Sequence, residues 1–194
     1  MKPFPVLIFF LLLLGTACTS KKPAGKNQQA RLADTAKFYP LRNFFKEQIQ
    51  YVDLRNFPIY QLKTTDGVKD SSAITKDQFI QLAGIFLQHD IAEPAVKLLY
   101  QESVFQDLGT ASVTINYTTT QLDAAVKNID ILLDESTNLV KRVFIRCRHT
   151  SGDTTIEEQC NWKANKSFQV NRTYRTPGGY QKEELNYINW NDKP

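Results

Sequence analysis

Two cysteines in the second half of the chain are the first residues whose type and spacing could do chemistry. Cys147 and Cys160 lie in segments that alternate between apolar and polar residues, which predicts strands, and parity places both on the same strand face. If the chain is exported, they could form a disulfide, which needs Cα atoms within about 7 Å. Otherwise they pack as two buried thiols. The spacing is not C-x-x-C, and His149 is the only other soft ligand in reach, so we expect neither a redox pair nor a metal site.

Three arginines form a candidate binding surface. Arg142, Arg146 and Arg148, with Lys141 beside them, lie on the opposite face of the first of these strands. Such a row of guanidinium groups could bind a phosphate, a carboxylated sugar or an acidic partner. The alternative is a solvated strand face on which the arginines pair with Glu157.

Catalytic signatures are missing from the sequence. His89 is expected at the end of a helix, where the helix dipole favours a cation, and no partner is visible near it. There is no G-x-S-x-G, H-E-x-x-H, glycine-rich phosphate loop or dinucleotide fingerprint. Acidic neighbours on a strand point to opposite faces and form no dyad, which applies to Asp134-Glu135, Glu157-Glu158 and Glu183-Glu184. We therefore predict a non-catalytic protein without a cofactor.

A sheet has to position the cysteines and arginines. After Tyr100 the apolar residues recur with a period of two, and turn residues such as Ser151-Gly152-Asp153 separate the runs. Short connections join antiparallel neighbours, so a meander is expected. The predicted strands cover 112–118, 125–133, 139–149, 154–163, 168–176 and 182–190, and the stretch 102–107 could add one more.

The turn between the two cysteine strands decides which residues face each other. A turn at Ser151-Gly152 places Arg146 opposite Glu157 and Cys147 opposite Ile156. A turn two residues later places Cys147 opposite Cys160. We prefer the first register, in which Cys147 and Cys160 are several residues away from being directly opposite each other.

The first half of the chain shows a helical pattern. Apolar residues at three- and four-residue spacing predict a helix of about four turns that begins near Pro40. A short strand is expected at 57–63, before the turn Thr65-Asp66-Gly67. Thr75 and Gln78 have capping-box spacing and open a second helix, and residues 90–100 could add a further helical turn or two.

These elements predict an α+β fold, with N-terminal helices packed on a curved antiparallel meander of about six or seven strands. A helix laid in a curved sheet resembles cystatin-like folds such as nuclear transport factor 2, and also the half-barrel of lipoprotein carriers. Both resemblances concern architecture, which does not fix function.

The first eighteen residues have the layout of a secretory signal peptide. Lys2 is followed by an apolar run from Val6 to Leu14 and then by small residues directly before Cys18. The run is too short to span a bilayer, which takes about 20 residues. Thr16, Ala17 and Cys18 resemble the lipobox of bacterial lipoproteins, although Gly15 stands where that family usually has Leu. The resemblance implies cleavage before Cys18 and a diacylglyceryl cysteine with an added acyl chain such as palmitate.

The charge is concentrated next to this segment. Residues 19–37 hold five basic side chains against Asp34, whereas the rest of the chain is nearly neutral. A near-neutral domain argues against nucleic-acid binding. We therefore expect a signal peptide at 1–17, a lipidated cysteine and flexible basic tether at 18–37, and one globular domain at 38–194.

The functional expectation follows from the anchor. Thr19, and not Asp, follows Cys18, which in similar lipoproteins favours the outer membrane, here facing the periplasm. We expect a lipid-anchored cell-envelope protein whose domain binds a protein partner in envelope assembly or maintenance. The alternative is a carrier or sensor that holds an apolar or amphipathic small molecule between helices and sheet.

Overall fold

The structure is a computed structural model that describes residues 38–192. The expected signal peptide, the lipidated Cys18 and the tether lie outside the described residues. The helices are α1 (Leu41–Asp53), α2 (Lys76–Ala83), a 3-10 helix (Gly84–Gln88) and α3 (Pro94–Lys97). The strands are β1 (Tyr60–Thr65), β2 (Val68–Ala73), β3 (Gln101–Asp107), β4 (Ser112–Thr118), β5 (Val126–Asp134), β6 (Val140–Ser151), β7 (Thr154–Lys163), β8 (Ser167–Arg175) and β9 (Gln181–Asn189).

All nine strands form one antiparallel sheet with the order β2-β1-β9-β8-β7-β6-β5-β4-β3. Strands β3 to β9 follow one another as a meander, and the β1–β2 hairpin adds to the free side of β9. The predicted fold class, helices on a meander of six or seven strands, is wrong. The described chain is mostly a nine-stranded sheet, and its helices are few and short.

Of the two strands beyond the predicted meander, β1 overlaps the short strand expected at 57–63, and the failure to predict β2 has a physical cause at the edge of the sheet. Every residue of β2 is exposed and the strand reads Val-Lys-Asp-Ser-Ser-Ala, so it lacks the alternation that marks a half-buried strand. It is held by a two-residue loop in which Asp66 and Gly67 both have positive φ, 48° and 84°. That is the Asp-Gly hairpin turn, whose twist matches the flanking strands. The sequence analysis found the turn but not the second strand that it implies.

Local sequence features mark where α1 and α2 begin. Helix α1 follows Pro40 and buries Leu41, Phe45, Gln48 and Val52 on one stripe. The capping box predicted at the start of α2 is confirmed: Thr75 and Gln78 each accept a hydrogen bond from the other's backbone N–H. None of the helices in residues 38–192 is long and apolar enough to cross a membrane.

Aromatic rings fill the space between the helices and one face of the sheet. Trp162 on β7 lies 5.3 Å from Phe45 of α1 and 4.8 Å from Phe86 of the 3-10 helix, measured between ring centroids. Phe168 and Phe79 extend the cluster along β8 and α2. Burial of each such side chain contributes about 1.5–3 kcal/mol, so this cluster fixes the helices over β7 and β8.

A buried amide joins α1 to the turn between β7 and β8. The Gln48 Oε1 accepts hydrogen bonds from the Trp162 indole at 3.3 Å and from the Asn165 backbone N–H at 2.7 Å, and its amide donates to Asn165 at 3.0 Å. Asn165 has a φ of 60°, which Asn tolerates in a turn.

The register between β6 and β7 lies midway between the two that the sequence suggested. Cys147 pairs with Glu158, Arg148 pairs with Glu157 and Cys160 pairs with Ile145. The expected pairing of Arg146 with Glu157 is therefore wrong by two residues. Parity was predicted correctly because one face must be buried, but a shift of two residues preserves parity, so the pattern alone could not exclude it.

Candidate functional site

The face of the sheet opposite the aromatic cluster carries polar side chains in two cross-strand rows, and we call it the polar face. One row consists of Arg146, Gln159 and Asn171, which are paired neighbours on β6, β7 and β8. The other row consists of Phe144, Asn161 and Gln169 on the same strands. Among residues 38–192, the helices pack on the other face, so these rows are accessible.

A groove of about 520 Å³ runs between these rows, and we call it the polar groove. Its side chains are Asp130, Phe144, Arg146, Gln159, Asn161, Gln169 and Asn171. A second groove of about 420 Å³ continues from it, shares Gln159 and Asn171, and ends among Glu157 and Glu183. The charged residues that line the first groove are Asp130 and Arg146, and those that line the second are Glu157, Arg172, Glu183 and Glu184.

The three arginines of the candidate surface lie on this face but differ in their partners. The Arg148 Nε lies 4.0 Å from Glu157, a carboxylate that also binds Arg175. The Arg142 guanidinium lies 5.7 Å from the centroid of the Phe144 ring. Arg146 is exposed and has no hydrogen bond or ion pair with any residue in 38–192. Arg148 therefore pairs with Glu157, as on a solvated strand face, whereas the Arg146 guanidinium is free to bind a ligand.

The amides beside Arg146 also have unused hydrogen-bonding capacity. The Asn161 Oδ1 and the Asn128 Oδ1 are buried and have no hydrogen-bond partner among the described residues. Leaving such an atom unpaired costs about 1–3 kcal/mol, which a bound water or ligand would remove. In contrast, Gln169 donates to the Asn171 side chain at 3.3 Å. The polar groove therefore holds an unpaired acceptor, the Asn161 Oδ1, and a guanidinium, that of Arg146, with no ion pair among residues 38–192.

A second group of chemically capable side chains lies on the helix-covered face, and we call it the thiol cluster. It comprises His89, Cys147, Glu158, Cys160 and Arg172. His89 directly follows the 3-10 helix, which places its ring over β6 and β7. Glu158 is the paired neighbour of Cys147 on one side and of Arg172 on the other. Cys160 follows two residues later on the same face.

The distances in the thiol cluster are those of direct contacts. The Cys147 Sγ lies 3.5 Å from the His89 Nδ1, and the Cys160 Sγ lies 3.9 Å from the His89 Nε2. The same Nε2 lies 3.3 Å from the Glu158 Oε1. The Arg172 Nε donates to the Glu158 Oε2 at 2.6 Å. Both sulfurs are free and buried.

Burial and charge set the protonation states of the thiol cluster. Burial raises the pKa of Glu158, but hydrogen bonds from His89 and Arg172 outweigh it and hold the pKa below its ordinary value. Burial and the nearby Glu158 raise the pKa of Cys147 to about 12. The same two causes raise the pKa of Cys160. The thiols are therefore neutral at ordinary pH, while the carboxylate is charged and paired.

Of the residues in the thiol cluster, the sequence predicted only that Cys147 and Cys160 share one strand face. The expectation that His89 lacks a partner is wrong, because folding brings it against three side chains that are distant in the chain. His149, the ligand considered from sequence, is exposed and outside the cluster. A signal for Glu158 was present, since parity places it on the buried face between Ile156 and Cys160. His89 carried no comparable signal.

No family model, curated protein or solved structure matches the chain. The site is therefore interpreted from its own chemistry: a polar groove on one face of an antiparallel sheet and a thiol cluster beneath the helices on the other.

Proposed function

We propose that the protein is a cell-envelope lipoprotein, anchored through a lipidated Cys18, whose polar groove binds an acidic segment of a partner protein without catalysing a reaction. The observation that carries the binding proposal is Arg146, an exposed guanidinium with no partner in residues 38–192, set in a groove lined with side-chain amides. The anchor rests on the lipobox resemblance of Thr16, Ala17 and Cys18.

The dimensions of the polar groove suit an extended peptide. Its lining residues come from β5, β6, β7 and β8, and neighbouring strands are about 4.8 Å apart, so the groove crosses roughly 15 Å. An extended chain covers about 3.3 Å per residue, which gives four or five residues across the sheet. The amides of Gln159 and Asn161 can pair with peptide groups, while Arg146 can bind a carboxylate through two parallel hydrogen bonds.

The packing between helices and sheet favours this proposal over a carrier of apolar molecules. A carrier needs space between the two layers, and there the rings of Phe45, Phe86, Trp162 and Phe168 lie with neighbouring centroids 4.8 to 5.3 Å apart. These are ordinary contact distances for aromatic side chains. The free polar groups lie on the opposite face, where a polar ligand would meet them.

In-cell photo-cross-linking of the full-length protein tests the proposal. A photoreactive residue at Gln169 in the polar groove should cross-link to a discrete envelope protein, and one at Leu122, which is 95% exposed in the β4–β5 connection, should not. Arg146→Glu should abolish the Gln169 product because it reverses the charge that meets the acidic segment. The matched charge reversal Arg55→Glu at the end of α1 should preserve it.

The outcome of the charge reversals decides the proposal. A cross-link that survives Arg146→Glu, or that Arg55→Glu removes equally, would show that the groove does not select the partner. Circular dichroism and thermal melting of both variants confirm that each remains folded, which is expected because both arginines are on the surface.

A further inference from the structure

We propose that the side chains of His89, Cys147, Cys160 and Glu158 form a zinc-binding site. This site lies under the helices, separate from the polar groove, and it does not depend on the proposed binding function. One ligand atom from each of His89, Cys147 and Glu158 lies within 4.8 Å of the other two. The fourth, the Cys160 Sγ, lies 3.9 Å from the His89 Nε2.

The distances from the His89 Nε2 to the other three ligand atoms are close to those of a tetrahedral site. Bond lengths of zinc to sulfur, nitrogen and oxygen place ligand atoms about 3.3–3.8 Å apart around one ion. The His89 Nε2 lies 3.9 Å from the Cys147 Sγ and 3.3 Å from the Glu158 Oε1.

The chemistry of the ligand set fits zinc. Two sulfurs and one imidazole are ligands that zinc shares with other soft or borderline ions, whereas magnesium and calcium prefer sites made entirely of oxygen. Zinc deprotonates a thiol that coordinates it, so each cysteine would enter as a thiolate. The site would hold its ion through side chains from three separate elements: the end of the 3-10 helix, β6 and β7.

The surrounding charges balance when zinc is present. Two thiolates and the Glu158 carboxylate carry three negative charges, which the ion and the Arg172 guanidinium cancel. Arg172 holds the Glu158 Oε2 at 2.6 Å and leaves the Oε1 directed at His89. Outer hydrogen bonds of this kind orient a ligating carboxylate.

Access and burial indicate a closed structural site. The sulfurs are almost fully buried, with residue exposures of 5% for Cys147 and 2% for Cys160, while the His89 side chain is 12% exposed. An ion can therefore enter beside the imidazole. Once bound, it ties the 3-10 helix to the sheet and stabilises the folded state.

The same contacts could be interpreted as a cysteine nucleophile with His89 as its base and Glu158 as the group that orients the base. A nucleophilic cysteine needs a thiolate that substrate can reach. Cys147 is 5% exposed, so a substrate cannot reach its sulfur, and coordination is the better use of these residues.

Metal analysis of the purified full-length protein tests the proposal. After treatment with a chelator and reloading with zinc chloride, the protein should hold one zinc per chain. Cobalt in place of zinc should give the charge-transfer absorption of thiolate ligands. Cys147→Ala and His89→Ala should each abolish stoichiometric binding, while Arg172→Gln should weaken it roughly 10–100-fold. His149→Ala, at an exposed histidine outside the cluster, is the matched control and should change nothing.

Two further measurements keep the result interpretable if a variant folds poorly. Zinc should raise the melting temperature of the folded wild-type protein, and the near-isosteric Glu158→Gln should retain the fold while it weakens zinc binding. Less than one zinc per folded wild-type chain, or binding that persists in Cys147→Ala as an adventitious ion only, would overturn the site. So would a Cys147 that is alkylated selectively and at the same rate with and without zinc, which would indicate a nucleophile.

Discussion

Two adjacent glutamates show how strongly one residue step on a strand decides chemical environment. Glu158 is 3% exposed and lies between His89 and Arg172 under the helices. Glu157 lies on the polar face, where it pairs with Arg148 and Arg175 in contact with solvent. The two side chains point to opposite faces because strand residues alternate. Removal of a partner of the buried Glu158 should therefore cost more than removal of a partner of Glu157, whose surface ion pairs contribute about 0–1 kcal/mol.

Asp192 gives a pH-dependent test at this scale. Its carboxylate accepts hydrogen bonds from Lys163 at 2.6 Å and from Ser167 at 3.0 Å. Burial raises its pKa, but these two partners outweigh burial and hold the pKa below the ordinary value of 3.8. A carboxylate of this kind stabilises the fold fully above its unfolded pKa, and the contribution is lost as pH falls through the lower folded pKa.

Asp192→Asn should therefore lower the free energy of unfolding at neutral pH, and its difference from wild type should shrink as pH falls below about 4. Urea denaturation at a series of pH values measures this difference. Asp123→Asn is the control, since Asp123 is exposed and makes no hydrogen bond within residues 38–192. A difference between wild type and Asp192→Asn that stays constant down to pH 2 would contradict the assignment.

The sequence predicted which face of the sheet a strand residue lies on better than it predicted contacts between the helices and the sheet. Alternation placed Cys147, Cys160 and the arginines on their correct faces, because burial of one sheet face enforces parity. The partner role of His89 could not be predicted, because it depends on how the 3-10 helix lies across β6 and β7. Contacts between layers are determined by three-dimensional packing, which periodicity within one segment does not report.

At the scale of elements, the β1–β2 hairpin depends on its two-residue loop. Asp66 and Gly67 both adopt positive φ, and the Asp66 carboxylate also accepts a hydrogen bond from the Glu183 backbone N–H at 2.9 Å. The loop thus closes the hairpin and attaches it to β9. Edge strand β2, which is exposed throughout, has no buried side chain to hold it otherwise.

Gly67→Ala should destabilise the protein by about 1–2 kcal/mol, because a side chain at a φ of 84° is strained although the space around it is open. Gly84→Ala is a matched control, since Gly84 has a φ of −57° and equally open space, and there alanine should be neutral or slightly stabilising. Thermal unfolding of both variants measures the effect. Equal melting temperatures for the two would show that the loop does not limit stability.

Most strands were predictable from sequence, but the assembly was not. The predicted segments at 112–118 and 154–163 coincide with β4 and β7, since alternating runs bounded by turn residues are strong signals. β2 was missed because an exposed edge strand has no apolar pattern, and neither β1 nor β2 was expected to extend the meander into one nine-stranded sheet. The β6–β7 register was missed because a two-residue shift leaves every side chain on the same face.

At the scale of the whole molecule, the proposed anchor can be removed without touching the described domain. Cys18→Ser should stall signal-peptide processing or release the protein into soluble fractions, because a serine side chain offers no thiol for lipidation. Fractionation and intact mass measurement of wild type and variant report both results. The wild-type mass should include the acyl chains. A variant that remains membrane-bound and is cleaved normally would show that Cys18 is not the anchor.

The interior position of β9 determines the order in which the chain can fold. Strand β9 lies between β8 and β1, so Thr65 can pair with Glu184 only once the chain has been synthesised as far as β9. Closing so long a loop is entropically costly and makes folding slow, as in other proteins dominated by distant pairings. The β1–β2 hairpin is synthesised first, but its partner strand β9 is synthesised last. For a chain exported as proposed, this delay keeps the sheet incomplete during translocation, and loss of β9 would leave β1 and β8 as unpaired edges open to aggregation.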